Sequence, residues 1–297
     1  VKFGKLENVD SVNFTLPEDR ILLPVAKGQV ATQVYTGATS WNNSEWKGTL
    51  YPKTCKKADF IRLYGKQFNS IELNATHYRT PSDKTLDVWV NETPEDFKFC
   101  PKILQAISHR NDMLTNKDLV NKFIVQLSKF GSKLGQTFIQ LPPYFKFESL
   151  YYLDRFLKAW PQEMSLAVEL RNGEMHKEQS KFEAYIEMLS KYNCNPLLTD
   201  VAGRRDLMHM TVNTSTVFVR WVGNGLHKSD FERIKEWKER VIRWNALGVE
   251  KIYFMLHEPE NLKTPEIAEF FSQELQNIQY IDQRGPSLIK EPPNLFS

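Results

Sequence analysis

Many of the side chains that can ionise or hydrogen-bond strongly stand at the end of a short apolar run. Glu72 and Asn74 close "SIELN", Lys102 follows "FKFCP", Gln140 closes "TFIQ", and Glu169 and Arg171 close "LAVELR". Asp200 ends "PLLTD", Arg220 and Trp221 end "TVFVRW", and His257 ends "YFMLH". Trp41 lies just after "VYTGATS", and Tyr78 follows Asn74 within the same segment. An unpaired buried charge is costly, so these groups are expected to converge on one another or on a ligand.

Two carboxylates held close can split into acid and base, because their surroundings push their pKa values apart. Glu169 and Asp200 end neighbouring runs, and neighbouring strands lie ~4.8 Å apart. They are therefore the expected acid–base pair, with Glu72 and His257 completing the catalytic set. The structural alternative is an ion pair of Glu169 with Arg171 or Arg220, and of Glu72 with Lys102 or backbone amides. A divalent metal with waters is compatible with Glu169 and Asp200 but not favoured. His77 and His257 are the two histidines expected near the site, too few for a multi-metal cluster; His109, His176, His209 and His227 read as surface residues. Lys102, Arg171 and Arg220 suit an anionic ligand, since guanidinium forks match phosphate oxygens. The alternative is that these three cations offset the three carboxylates. Asn74, Gln140, Tyr78, Trp41 and Trp221 are the remaining candidates for substrate binding, the aromatic rings as platforms for a sugar or a nucleobase.

Eight strand-like runs carry these residues: Gln33–Thr36, Ser70–Leu73, Phe97–Cys100, Thr137–Gln140, Leu166–Glu169, Pro196–Thr199, Thr216–Arg220 and Lys251–Met255. Amphipathic helical patterns alternate with them over Ala58–Gln67, Lys84–Asn91, Leu119–Leu134, Leu150–Trp160, Gln179–Tyr192, Asp230–Leu247 and Pro265–Leu275. "TPSD" before the second of these offers a helix cap. Alternating strands and helices indicate a parallel sheet, and eight units predict a (β/α)8 TIM barrel with its site at the strand C-terminal ends. The interval between Asp200 and Thr216 is short, so the sixth helix is expected to be degenerate or absent. An open doubly wound sheet is the runner-up, but "TGATSW" lacks the glycine spacing of a phosphate loop. The reading divides the chain into an N-terminal extension (1–33), one barrel domain (34–279) and an irregular Pro-rich tail (280–297).

The 297 residues are 41% hydrophobic and 25% charged, which suits a packed α/β domain. A net charge of +3 is too mild to hold nucleic acid or a membrane by itself. No run reaches the ~18 apolar residues of a membrane span, and residues 1–30 show no signal-peptide core. Three widely spaced cysteines argue against a disulfide framework or a zinc site and for a reducing, cytoplasmic location.

"TGATSWNNSEWKGTLYP", "SIELNATHYRTPS", "FIQLPP" and "AVELR" occur in this order. Together they resemble the motifs of the YecE-like family, a domain of unknown function (DUF72), over about residues 34–275. The resemblance implies a barrel fold and no settled activity. The chain departs from the family pattern at His77, where a Phe is usual, and at Arg220–Gly223, where an R-x-H-G segment is usual. It departs again at "NGEM" (172–175) and at "MLHEP" on the last strand. These differences cluster at the expected mouth, which implies an altered substrate or a lost reaction.

The residues taken together are expected to form a polar pocket of a hydrolase acting on a small anionic substrate, a phosphoester or nucleotide-like ester. A glycosidase is the first alternative; it requires two carboxylates ~5 Å or ~6.5–9.5 Å apart. A non-catalytic protein binding a small ligand or single-stranded nucleic acid is the second.

Overall fold

The structure, a computed structural model, describes residues 4–24 and 30–289. It is a mixed α/β fold in which every pairing between described strands is parallel. The principal strands are β1 (Thr32–Ala38), β2 (Ser70–Leu73), β3 (Lys98–Pro101) and β4 (Thr137–Gln140). They continue as β5 (Leu166–Glu169), β6 (Leu198–Asp200), β7 (Thr216–Val222) and β8 (Lys251–His257). One sheet runs β3-β2-β1-β8-β7-β6, and a second joins β4, β5 and the short strand Asn195–Pro196. Isolated bridges Phe99–Leu134 and Lys102–Phe138 link β3 to the β4 segment.

The principal helices are α1 (Phe60–Gln67), α2 (Asp83–Glu92), α3 (Lys117–Ser128), α4 (Leu150–Ala159), α5 (Gln179–Lys191), α6 (Lys228–Ala246) and α7 (Thr264–Glu274). Ser82 caps α2 by accepting the Thr85 N–H, as "TPSD" leads one to expect. Between β6 and β7 the chain makes only a 3-10 stretch, Ala202–Leu207, and the short strand Thr211–Val212. The expected degenerate helix is therefore observed.

Strand alternation sorts the side chains into two cores. One parity faces the helices, with Ile252, Phe254 and Leu256 of β8 in the large cluster that includes Trp237 and Phe271. The other parity gathers a smaller cluster, Cys100, Phe138, Ala167, Leu197, Phe218 and Met255. On this side of β1, Gly37 leaves room for its neighbours: a Cβ there would come within 2.7 Å of the Ser70 carbonyl.

Two features depart from the sequence reading. The tail is not irregular at its start: Ile281–Arg284 forms a strand along Thr32–Tyr35. β2 pairs only with Gly37 and Ala38, which leaves the first half of β1 with an open edge that the tail strand fills. Residues 290–297 lie outside the described residues. The extension likewise contributes Arg20–Ile21, which pairs with Thr211–Val212 where the degenerate unit leaves an edge.

The second departure concerns histidines read as surface residues. The His176 and His209 rings stack 5.7 Å apart, and both pack on Phe182. Burial, with His176 adding to it, pushes His209 down to about 3, and burial also lowers His176. His209 is thus neutral when folded and protonates at its ordinary 6.5 when unfolded. Its contribution is intact above that pH and is lost as pH falls toward about 3. We expect urea-unfolding midpoints to decline through this window, and His209→Phe to flatten the decline; an unchanged pH dependence in H209F would exclude His209 as its source.

Candidate functional site

The inner parity that builds the small apolar cluster continues one pleat further toward the strand C-termini, and there it turns polar. Cys100 is followed in phase by Lys102, Phe138 by Gln140, Ala167 by Glu169, Leu197 by Thr199, Phe218 by Arg220 and Met255 by His257. Pairing fixes the register: Gln140 lies beside Glu169, and Thr199 beside Arg220.

Arg220 is the centre of this layer. Its Nε donates to Glu72 Oε2 and its Nη2 to Glu72 Oε1, each at 2.9 Å. Its Nη1 donates to both oxygens of Glu169 at 3.2 and 3.1 Å. The Phe138 ring lies 5.8 Å away, in cation–π range. Glu169 also accepts from Arg171 Nε (2.9 Å) and from Thr199 Oγ1 (3.1 Å). Glu72 also accepts from Asn74 Nδ2 (2.8 Å), and His257 Nε2 lies 2.9 Å from its Oε2. Lys102 Nζ donates to Gln140 Oε1 at 2.8 Å, its one hydrogen bond from the ammonium among the described residues.

The electrostatics follow from burial and these partners. Burial alone would raise both carboxyls; Arg220 and His257 hold Glu72 well below its ordinary range, and Arg171 and Arg220 bring Glu169 to about 2. Burial and the nearby Arg220 charge lower the Lys102 ammonium to about 8, against the pull of Glu169 and Glu72. Because Glu72 is ionised, the His257 nitrogen facing it carries the proton. In the neutral ring Nδ1 is then the acceptor, and it makes no hydrogen bond among the described residues. A carboxylate orienting an imidazole whose other nitrogen is available is a recurring general-base arrangement.

Of the residues read from the sequence, Glu72, Asn74, Lys102, Gln140, Glu169, Arg171, Arg220 and His257 are brought together. Asp200 is not. It lies on the opposite parity from Thr199 and faces α6, where it pairs with Arg205, lies 3.2 Å from Arg233 and accepts from Trp237 Nε1 at 2.7 Å. The expected Glu169–Asp200 acid–base pair, and a metal held between them, are therefore overturned by the pleat. Among the described residues no group of three His, Cys, Asp or Glu side chains converges to hold a metal ion. Trp221 fails for the same reason: it is one residue out of phase with Arg220 and stacks on Arg233 at 4.3 Å. Trp41 packs edge-on against Trp89 rather than in the cluster. Tyr78 is 77% exposed beside the buried His77, whose Nδ1 meets the Ile103 carbonyl.

Sequence reasoning missed Thr199 and Glu258. Thr199 was legible only as the inner neighbour of Asp200, once the parity of β6 is known. Glu258 follows His257 directly and lines a cavity of about 1010 Å³ between the loops after β7 and β8 and the N-terminal segment Gly4–Asp10. His257 lines the same cavity, so the polar layer and the cavity meet at that ring.

The family described as "Protein of unknown function DUF72" matches residues 35–289. UPF0759 protein YecE of Escherichia coli (strain K12) is 24% identical over 261 residues, 82% of this chain and 93% of that protein. UPF0759 protein YunF of Bacillus subtilis (strain 168) is 29% identical over 147 residues, 47% of this chain and 51% of that protein. A solved DUF72 family protein (EF0366) from Enterococcus faecalis V583 superposes with a TM-score of 0.67 at 16% identity, over 84% of this chain and 100% of that one. These likenesses carry family and fold, and none of these proteins' names assigns a reaction.

Removing one partner of a buried ion pair strands the other charge. Asp200→Ala is expected to destabilise the protein by about 3–5 kcal/mol, read as a lower denaturation midpoint, because Arg233 loses a buried counter-ion. A cost below about 1 kcal/mol, the scale of exposed pairs, would show that Asp200 does not anchor α6.

Proposed function

The chain belongs to the DUF72 family, and we propose that it is a hydrolase acting on a small anionic ester, a phosphoester or nucleotide-like substrate, at the polar layer around Arg220. The observation that carries this reading is the buried Lys102 ammonium. Among the described residues Glu72 and Glu169 are both bonded to Arg220, and no carboxylate lies within ion-pair distance of Lys102. The buried Lys102 ammonium spends one of its three donors on Gln140. An anion would take up the unspent donors and offset the buried ammonium charge.

In this reading the parallel strands close into a (β/α)8 barrel, and the substrate enters at their C-terminal ends. The bridges between β3 and the β4 segment, and the inner apolar layer drawn from successive strands, support closure. His257 Nδ1 removes a proton from water as its oxygen attacks phosphorus; the ester P–O bond breaks, and the alcohol takes a proton from solvent or the returning imidazolium. Glu72 orients the imidazole, while Lys102 and Arg171 bear the charge that develops on the phosphoryl oxygens. Glu72 and Glu169 serve as fixed anions that hold Arg220, not as acids. Neither can then supply the protonated carboxyl that a glycosidase requires, which disfavours these two as a glycosidase pair. The three cysteines are unpaired, which fits a reducing, cytoplasmic setting. No helix among the described residues is long and apolar enough to cross a membrane.

Titration with inorganic phosphate and turnover of p-nitrophenyl phosphate and its diester test the reading. Wild type is expected to bind phosphate with salt-sensitive affinity. Lys102→Met should weaken binding about tenfold or more, roughly 1.4 kcal/mol. His257→Gln should keep phosphate binding and lose turnover by about 10²–10⁴. No phosphate binding removes the anion site. Binding without turnover of either ester reduces the protein to a ligand binder, and turnover of nitrophenyl glycosides would restore the glycosidase alternative.

A further inference from the structure

The cavity under the N-terminal segment has one unmet acceptor in its wall. Glu258 is 4% exposed. Its Oε2 accepts the Gly225 N–H at 2.8 Å, while its Oε1 has no partner among the described residues. The carboxyl sits where a Cβ on Gly223 would be, 2.1 Å from Oε1, so only glycine at 223 admits it. The neighbouring Asp230 is satisfied by the Asn224 N–H and Nδ2 (2.8 and 2.9 Å), the His227 N–H (3.0 Å) and Arg233 (2.7 Å). Arg233 is thus engaged by Asp230 and Asp200, and among the described residues no cation is hydrogen-bonded to Glu258.

The surroundings favour positive charge. Glu7, Asp10 and Glu260 also line the cavity, against Lys5, His227 and His257. His227 lies 3.2 Å from Asp10, and His257 is turned to Glu72. Glu260 in the cavity wall and the nearby Leu226 and Asn261 have φ of 55°, 63° and 58°, the left-handed region that non-glycine residues seldom occupy. Asn261 is fixed there by Trp46 Nε1 on its carbonyl (2.8 Å) and Thr39 Oγ1 on its Oδ1 (2.9 Å).

We propose that this cavity binds a ligand bearing a primary ammonium group, with Glu258 as its counter-ion. The site stands apart from the anion reading, although His257 borders both. Burial and the adjacent Asp230 carboxylate push the Glu258 carboxyl up to about 8, with the Gly225 and Leu226 amides and Arg233 opposing. The other titratable groups around it are His227, His257, Glu260, Glu7, Asp10 and Lys5. At neutral pH Glu258 therefore carries a proton. When the ammonium arrives, that proton leaves to solvent, and the carboxylate accepts a charge-assisted hydrogen bond from the ligand.

Isothermal titration of the full chain with putrescine and ethanolamine at pH 7, in buffers of different ionisation enthalpy, tests the site; 1,4-butanediol and ethylene glycol are the neutral controls. Both amines should bind and the diols should not, with close to one proton released per amine. Glu258→Gln should weaken amine binding about tenfold or more and abolish proton release, and Gly223→Ala, which displaces the carboxyl, should do the same. Lys102→Met should bind amines as wild type does, which separates this site from the anion site. Absence of amine binding by wild type, binding without proton release, or undiminished binding in E258Q would overturn the proposal. The wild-type proton count decides the matter even if E258Q fails to fold.

Discussion

The bridge that Arg220 makes between Glu72 and Glu169 is the constraint on which the rest of the inner layer depends. Three charges lie buried together, and such an arrangement survives only when every lone pair and donor is met. The guanidinium supplies a two-pronged contact to Glu72 and a third nitrogen to Glu169. Arg171, Thr199, Asn74 and His257 then meet the remaining carboxylate positions. Each of these partners comes from a different segment or a different position of the pleat. The bridge therefore fixes the relative placement of β2, β5, β6, β7 and β8 at their C-terminal ends.

A second buried polar anchor lies on the other side of the same strands. Asp200 ties β6 to α6 through Arg233 and Trp237 and to the 3-10 stretch through Arg205. It stands where the β6–β7 connection has no full helix to cover the strands. The pleat so separates the charged groups into one cluster in the helix layer, around Asp200 and Arg233, and another inside, around Arg220.

The N-terminal segment and the tail show how edges are managed. The tail strand completes the open half of β1, and Arg20–Ile21 covers the edge left by Thr211–Val212. Gly4–Asp10 lies across the strand ends, bounding a cavity that also contains His257 and Glu258. Segments that read as extensions in the sequence thus take part in shaping the face at the strand C-terminal ends, because an unpaired strand edge or an open mouth offers hydrogen-bonding groups to whatever chain lies near.

The sequence by itself determined the alternation of strands and helices, the weak sixth unit and the family. Apolar runs with turn residues between them encode these locally, and they need no knowledge of neighbours. It also determined that strand ends are polar, which placed Glu72, Lys102, Glu169 and Arg220 in the site. What the tertiary structure decided is which face each strand end presents. In "LLTD" and "VFVRW" both parities are apolar before the polar residues, so nothing local distinguishes Thr199 from Asp200, or Arg220 from Trp221, as the inward one. A one-residue change of phase moves a side chain from the inner layer to the helix layer, and only pairing with Arg220 and Glu169 on neighbouring strands sets that phase. Glu258 escaped notice because its environment is made by Gly223, Asp230 and the N-terminal segment, which are distant in sequence and meet only in the folded chain.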